Sequence, residues 1–104
     1  MVDLYRVINS AVKNGKVLFG SKQTMVMAKS GRAVALVVAS NCPPRILVDL
    51  KRYSQLSNIP LFVYPASSMD LGSVCGKSFA VSALTIRETS DPDILKMKAL
   101  LNRS

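Results

Sequence analysis

Histidine is absent from all 104 residues, which removes the commonest general base and the commonest metal ligand together. Cysteine is nearly as scarce. Cys42 and Cys75 have neither Cys-x-x-Cys spacing nor a second pair of ligands, so no zinc site is expected. Two thiols in such a chain are expected to stay reduced, and with no histidine to activate them they read as small packing residues rather than nucleophiles. Acidic residues number six, and none forms a pair set for acid–base work. The glycine-rich signatures of nucleotide sites, GxGxxG and GxxxxGK[ST], are missing, which leaves nucleotide hydrolysis without support. No enzymatic activity, cofactor, metal or small-molecule substrate is therefore expected. Long apolar runs are missing as well. The longest, residues 33–39, falls far short of the roughly 20 residues that span a bilayer. Asp3, Arg6 and Asn9 break up the amino end where a signal peptide would be apolar. No membrane partner is expected, and the chain reads as soluble and cytoplasmic.

What the chain does have is positive charge and apolar bulk. Fourteen Lys and Arg against six Asp and Glu give a formal charge of +8. In a soluble chain that excess favours an anionic partner, nucleic acid first. The cations are scattered from Arg6 to Arg103, so only a fold can gather them into a patch. Apolar residues make up 49%, enough for one ordered domain over residues 1–104 with a single core.

Leu4, Val7, Ile8, Ala11 and Val12 follow helical spacing with one buried stripe, with Asp3 as cap and Asn14-Gly15 as stop. Residues 16–19 read as a short strand ended by Gly20. A second helix is expected with Ser21 as its cap, ending at Gly31, with Met25, Ala28 and, at the margin, Val26 turned inward. The unbroken apolar residues 33–39 suit a central strand covered on both faces. Pro43-Pro44 then start a helix where a missing N–H costs nothing. Its inner face is Ile46, Leu47, Leu50 and Tyr53, with Leu56 at the margin. Residues 61–64 form another strand. Ser67 or Ser68 caps a short helix weakened by Gly72, residues 79–86 form a last strand, and Asp91-Pro92 opens a terminal helix carrying Ile94, Leu95, Met97 and Leu101.

This alternation predicts an α/β fold, a three-layer α/β/α sandwich around a small, mostly four-stranded mixed sheet. Ligands of such sheets dock beyond the carboxyl ends of strands, where helices begin. The turns at Gly20, Asn41 and Ala66 all run from strand to helix, so parallel neighbours bring them to one edge. The loop before Phe79 joins them if the last strand runs antiparallel.

Each loop has a functional reading and a plain one. Gly20 lets a backbone come close, and Ser21, Lys22, Gln23 and Thr24 would open a helix with unpaired N–H groups and one ammonium, an arrangement that suits phosphate. The plain alternative is a capped helix with a solvated lysine. Asn41 can pair with a base edge or close an Asx turn on its own backbone. In the third loop Gly72 and Gly76 permit unusual backbone angles and Lys77 adds charge. Phe79 either stacks on an exposed base or begins the inward face of the strand with Val81 and Ala83.

Over nearly its full length the chain resembles the L-thirty-e type of large-subunit ribosomal protein, within the L-seven-Ae superfamily of kink-turn RNA binders. The resemblance is carried by Asn14-Gly15-Lys16-Val17 with Gly20-Ser21-Lys22-Gln23-Thr24, and by Leu36-Val37-Val38-Ala39-Ser40-Asn41 followed by Pro43. It continues through Tyr53 to Leu56, Ile59-Pro60-Leu61, Leu71-Gly72-Ser73-Val74-Cys75-Gly76 and Asp93-Ile94-Leu95. It implies a protein of the cytoplasmic ribosome whose loops clasp a bent ribosomal RNA internal loop with tandem sheared G·A pairs, beside neighbouring ribosomal proteins. By position, Gly20, Ser21, Lys22 and Gln23 would contact RNA from the first helix start, Asn41 from the second loop, and Gly76, Lys77 and Phe79 from the third. Relatives serving box C/D guide RNAs carry Asn-Glu where this chain has Lys22-Gln23, which favours the ribosomal branch over the alternative, an accessory role in a guide-RNA or RNase P particle. Some ribosomal relatives place arginine after the aromatic residue, where this chain has Ala80.

Overall fold

The computed structural model describes residues 4–88. The expected Asp3 cap and the terminal helix from Asp91 lie outside them. Helix α1 (Leu4–Lys13) buries Val7, Ile8 and Ala11, the stripe its periodicity predicts, and Gly15 follows it in the left-handed region at φ 67°. Strand β1 (Val17–Phe19) leads through Gly20 into α2 (Ser21–Ser30). Here the expected cap moves by one residue. Gly20 is the N-cap, at φ 103°, and Ser21 is already helical. The Gly20 carbonyl accepts from both the Thr24 backbone N–H at 3.0 Å and the Thr24 hydroxyl at 2.8 Å. Thr24 and Ala28, four residues apart, set the inward direction of α2. Val26 lies about 200° from Thr24 around the helix and is 55% exposed, not inward. Gly31 closes the helix at φ 71°, its N–H donating to the Met27 carbonyl.

Strand β2 (Ala35–Ala39) is buried at every position. Helix α3 (Pro44–Leu56) starts on Pro44 and points Leu50 and Ser54 inward, with Ile46, Leu47 and Tyr53 packed beside them. Leu56, two residues past Ser54, turns outward and is 73% exposed, against expectation. Strand β3 (Leu61–Tyr64) and helix α4 (Ser68–Val74) follow, the latter capped by the Ser67 hydroxyl, which accepts from the Asp70 N–H.

Strand β4 (Ala83–Ile86) begins four residues later than the apolar pattern suggests. The preceding segment is claimed by α4: the Lys77 N–H donates to the Gly72 carbonyl at 2.9 Å and the Val81 N–H to the Ser68 carbonyl at 2.9 Å. Those bonds hold residues 77–81 against the helix instead of a neighbouring strand.

The sheet has the order β1-β4-β2-β3. Strand β4 runs antiparallel to both neighbours, with Phe19↔Leu84 on one side and Val37↔Leu84 on the other, and β2 and β3 are parallel. One face, through Ala35, Val37, Leu84 and Ile86, packs on α1 and α4. The other, through Leu36, Val38 and Ala83, packs on α2 and α3. The α/β/α sandwich with a four-stranded mixed sheet is the expected one, and each fully buried Leu, Ile or Val favours it by about 1.5–3 kcal/mol.

Candidate functional site

Because β4 is antiparallel to β1 and β2, the carboxyl ends of β1, β2 and β3 and the amino end of β4 share one edge of the sheet. Two backbone bonds stitch it: the Gly20 N–H donates to the Ala83 carbonyl at 3.0 Å, and the Ala39 N–H to the Ser82 carbonyl at 2.8 Å. The condition on which the third loop was expected to join the other two is met.

Between the first and third loops lies an open groove of about 400 Å³, lined by Phe19, Gly20, Ser21, Phe79, Ala80, Val81 and Ser82. Gly20, Ser21 and Phe79 thus meet across one depression. Phe79 is 54% exposed and precedes β4, so it is not the first inward residue of the strand. An aromatic face held at the mouth of a groove suits a stacked base. Lys77 reaches back over the Phe19 ring, its Nζ 4.9 Å from the centroid, which tethers the ammonium to the end of β1.

Lys22 and Gln23 stand exposed on the first turn of α2, outside the groove lining. The turn opens with a glycine and carries no acidic residue, so its unpaired N–H groups and the Lys22 charge meet no competing side-chain cap or carboxylate there, a setting that suits an anion. Gly76 sits at φ 76° just past α4 and aims the chain toward Lys77. No contact ties it to the groove.

Asn41 does not close the Asx turn that local sequence allows. Its side-chain carbonyl instead accepts the Ser68 backbone N–H at 2.8 Å, 27 residues away. The bond fastens the second loop to the start of α4 and leaves the two amide N–H donors of an exposed side chain uncommitted among the described residues. Ser40 reinforces the link, its N–H and hydroxyl both donating to the Ala66 carbonyl.

Cys42 and Cys75 are buried, and burial raises both thiols above the ordinary value, Cys75 to about 11 even though the Lys77 charge pulls it down. Both pack into the cores on either side of the sheet. Among the described residues no group of three metal-ligating side chains forms, and no helix is long and apolar enough to cross a membrane.

Sequence reasoning missed the part Phe19 plays beside Lys77, and named Thr24 and Ser68 without the bonds they make. A hydroxyl four residues after Gly20 was a readable signal for Thr24, since such a hydroxyl reaches back along the helix. The partners of Phe19 and Ser68 come from distant segments and left no local trace.

Residues 3–96 match the pattern of the ribosomal protein L7Ae/L30e/S12e/Gadd45 family. The large ribosomal subunit protein eL30 of Methanopyrus kandleri is 39% identical over 95 residues, covering 91% of this chain and 87% of its own. Its namesake in Methanothermobacter thermautotrophicus is 43% identical over 96 residues, covering 92% and 98%. Among solved structures, a Bacillus halodurans protein of unknown function superposes with a TM-score of 0.74 at 17% identity over 100% of both chains. A Giardia lamblia 15.5kD RNA binding protein superposes at 0.71 and 16%, covering 94% of this chain and 80% of its own. At those identities the two structures show a shared fold.

Proposed function

The chain belongs to the ribosomal protein L7Ae/L30e/S12e/Gadd45 family, and from that footing we propose that it is a structural constituent of the large ribosomal subunit, binding a kink-turn in ribosomal RNA through the loop edge of its sheet. The observation that carries the reading is the meeting of Gly20, Ser21 and Phe79 across one groove, with Lys22, Lys77 and Asn41 on the same three loops. Relatives about 40% identical are named as large-subunit proteins, not as enzymes.

In this reading a sharply bent RNA crowds its own phosphates. The α2 N-terminus with Lys22, and Lys77 across the groove, lower that repulsion. Gly20 admits the backbone closely, Phe79 stacks on an unpaired base, and the free Asn41 N–H donors meet a base edge. Recognition is then of shape and a few exposed bases.

The test is a pair of titrations at two salt concentrations. One RNA is a short kink-turn; its twin has the G·A pairs replaced by Watson–Crick pairs. Tight, salt-sensitive binding to the first alone is expected. Equal affinity for the two would reduce the chain to a non-specific basic binder and end the proposal.

A further inference from the structure

Among the described residues, positive charge is unevenly divided between the two helical layers. Helices α2 and α3 carry Lys22, Lys29, Arg45, Lys51 and Arg52 against one carboxylate, Asp49. The opposite layer, α1 and α4, carries Arg6 and Lys13 against Asp70. Lys22 and Arg45 lie at the helix starts beside the loop edge. Lys29, Lys51 and Arg52 lie beyond it, toward the far ends of two helices that run side by side, joined there by the Ser57 hydroxyl donating to the Ala28 carbonyl at 2.8 Å.

Two of these outer cations are held together. The Lys29 Nζ and the Arg52 guanidinium each stand 5.1 Å from the centroid of the Tyr53 ring, so they are no more than twice that distance apart. The ring attracts each cation while the two repel each other. Asp49 relieves little, since its nearest approach to Arg52 is 4.0 Å in an exposed i,i+3 pair. A layer of paired, exposed cations on a rigid aromatic support is a complement to a row of negative charges.

We propose that this outer face of α2 and α3 is a second contact with RNA, gripping the phosphate backbone of a regular helical segment through Lys29, Lys51 and Arg52, with no reading of bases. It rests on the RNA-binding reading of the loop edge for its choice of partner, but it uses different residues. Lys51 borders an open depression of about 450 Å³ over Ser54, Gln55, Asn58, Ile59, Pro60 and Leu61, and none of Lys29, Arg52 and Tyr53 lines it. The contribution of the three cations is electrostatic, salt-dependent and indifferent to sequence.

The experiment compares the wild-type chain with the triple variant Lys29→Gln, Lys51→Gln, Arg52→Gln on two probes: the short kink-turn, and a plain twenty-base-pair RNA duplex. The variant is expected to bind the duplex about tenfold or more weakly, with its log–log salt slope shallower by about 2, at roughly 0.7–0.9 per lost phosphate contact. Its affinity for the short kink-turn is expected to stay within about twofold. The charge-conserving variant Lys29→Arg, Lys51→Arg, Arg52→Lys is expected to bind the duplex as the wild type does, which separates lost charge from lost structure. Unchanged duplex affinity and slope in the glutamine variant would overturn the proposal. So would equal affinity of the wild type for a poly-glutamate peptide, which would assign the face to an acidic protein. Failure of the loop-edge reading would show elsewhere, as equal binding of the kink-turn and its Watson–Crick twin.

Discussion

Gly72 and Phe79 meet where helix α4 passes beneath the third loop, and a Cβ on Gly72 would collide with the Phe79 carbonyl oxygen. In an ordinary exposed helix, Gly→Ala is stabilising by up to about 1 kcal/mol. Here the sign is reversed. Gly72→Ala is expected to lower stability by about 1–3 kcal/mol, because backbone must shift to make room. It also moves Phe79, so RNA affinity should fall with it. Denaturant midpoints and the kink-turn titration check both halves.

Asn41 has two jobs that substitution can separate. Asn41→Ala removes the acceptor for the Ser68 N–H and is expected to cost about 0.5–1.5 kcal/mol in urea unfolding. Asn41→Asp keeps an acceptor for that N–H and loses the side-chain donors, so stability should hold while RNA binding falls. If Asn41→Asp bound as tightly as wild type, those donors would have no part in recognition.

Phe79 is more than half exposed, so its truncation tests binding nearly free of folding. Phe79→Ala is expected to weaken RNA affinity by about 1–3 kcal/mol, the worth of a stacked base, with a thermal midpoint close to that of wild type. Phe79→Tyr should restore binding, because the ring face remains.

Thr85 sits in β4 opposite Leu18 and Leu36, and its hydroxyl is buried with no hydrogen-bond partner among the described residues. Thr85→Val replaces that hydroxyl with a methyl of similar shape. It is expected to raise unfolding free energy by about 1 kcal/mol or more, the cost of a buried unsatisfied group, and to leave RNA binding unchanged.

The Cys75 thiol titrates at about 11 when folded and near its ordinary 9.0 when the chain is open. The folded state therefore holds its proton more firmly, and stability from this group is complete below about pH 9. It is lost progressively as pH rises from there to about 11. Reaction with a thiol reagent at pH 8 is expected to be slow in the folded protein and fast in denaturant. Rapid labelling of the native chain would contradict the buried placement.

Several of these features were readable beforehand, and the pattern of success has a physical cause. The α1 stripe, the wholly apolar β2, Pro44 at a helix start and Gly31 at a helix end are local signals, decided within a few residues. Gly20 displaced Ser21 as cap because the glycine already held the extended turn and its carbonyl found Thr24. Val26 and Leu56 stand at the margin of the inner faces on hydrophobicity, but helix phase is fixed by the most buried pair, Thr24 with Ala28 and Leu50 with Ser54, and turns both outward. The start of β4 was misplaced because apolar residues 79–81 look like strand. The Val81 N–H instead donates to the Ser68 carbonyl in α4, a partner that sequence pattern does not announce. On the loop edge, the loops were legible and the ties between them, Asn41 to Ser68 and Lys77 to Phe19, were not.

The strand order sets a timetable for the chain's own birth. Strand β4, last of the four to leave a translating ribosome, lies between β1 and β2, and among the described residues β1 pairs with no other strand. Until residues 83–86 emerge, β1 has nowhere to dock and the β2–β3 pair has one open flank. A nascent chain truncated before Ala83 would lack the Gly20 and Ala39 backbone anchors on the loop edge as well. A copy made only as far as Phe79 therefore holds all three loops, but they are not yet tied to one another through β4.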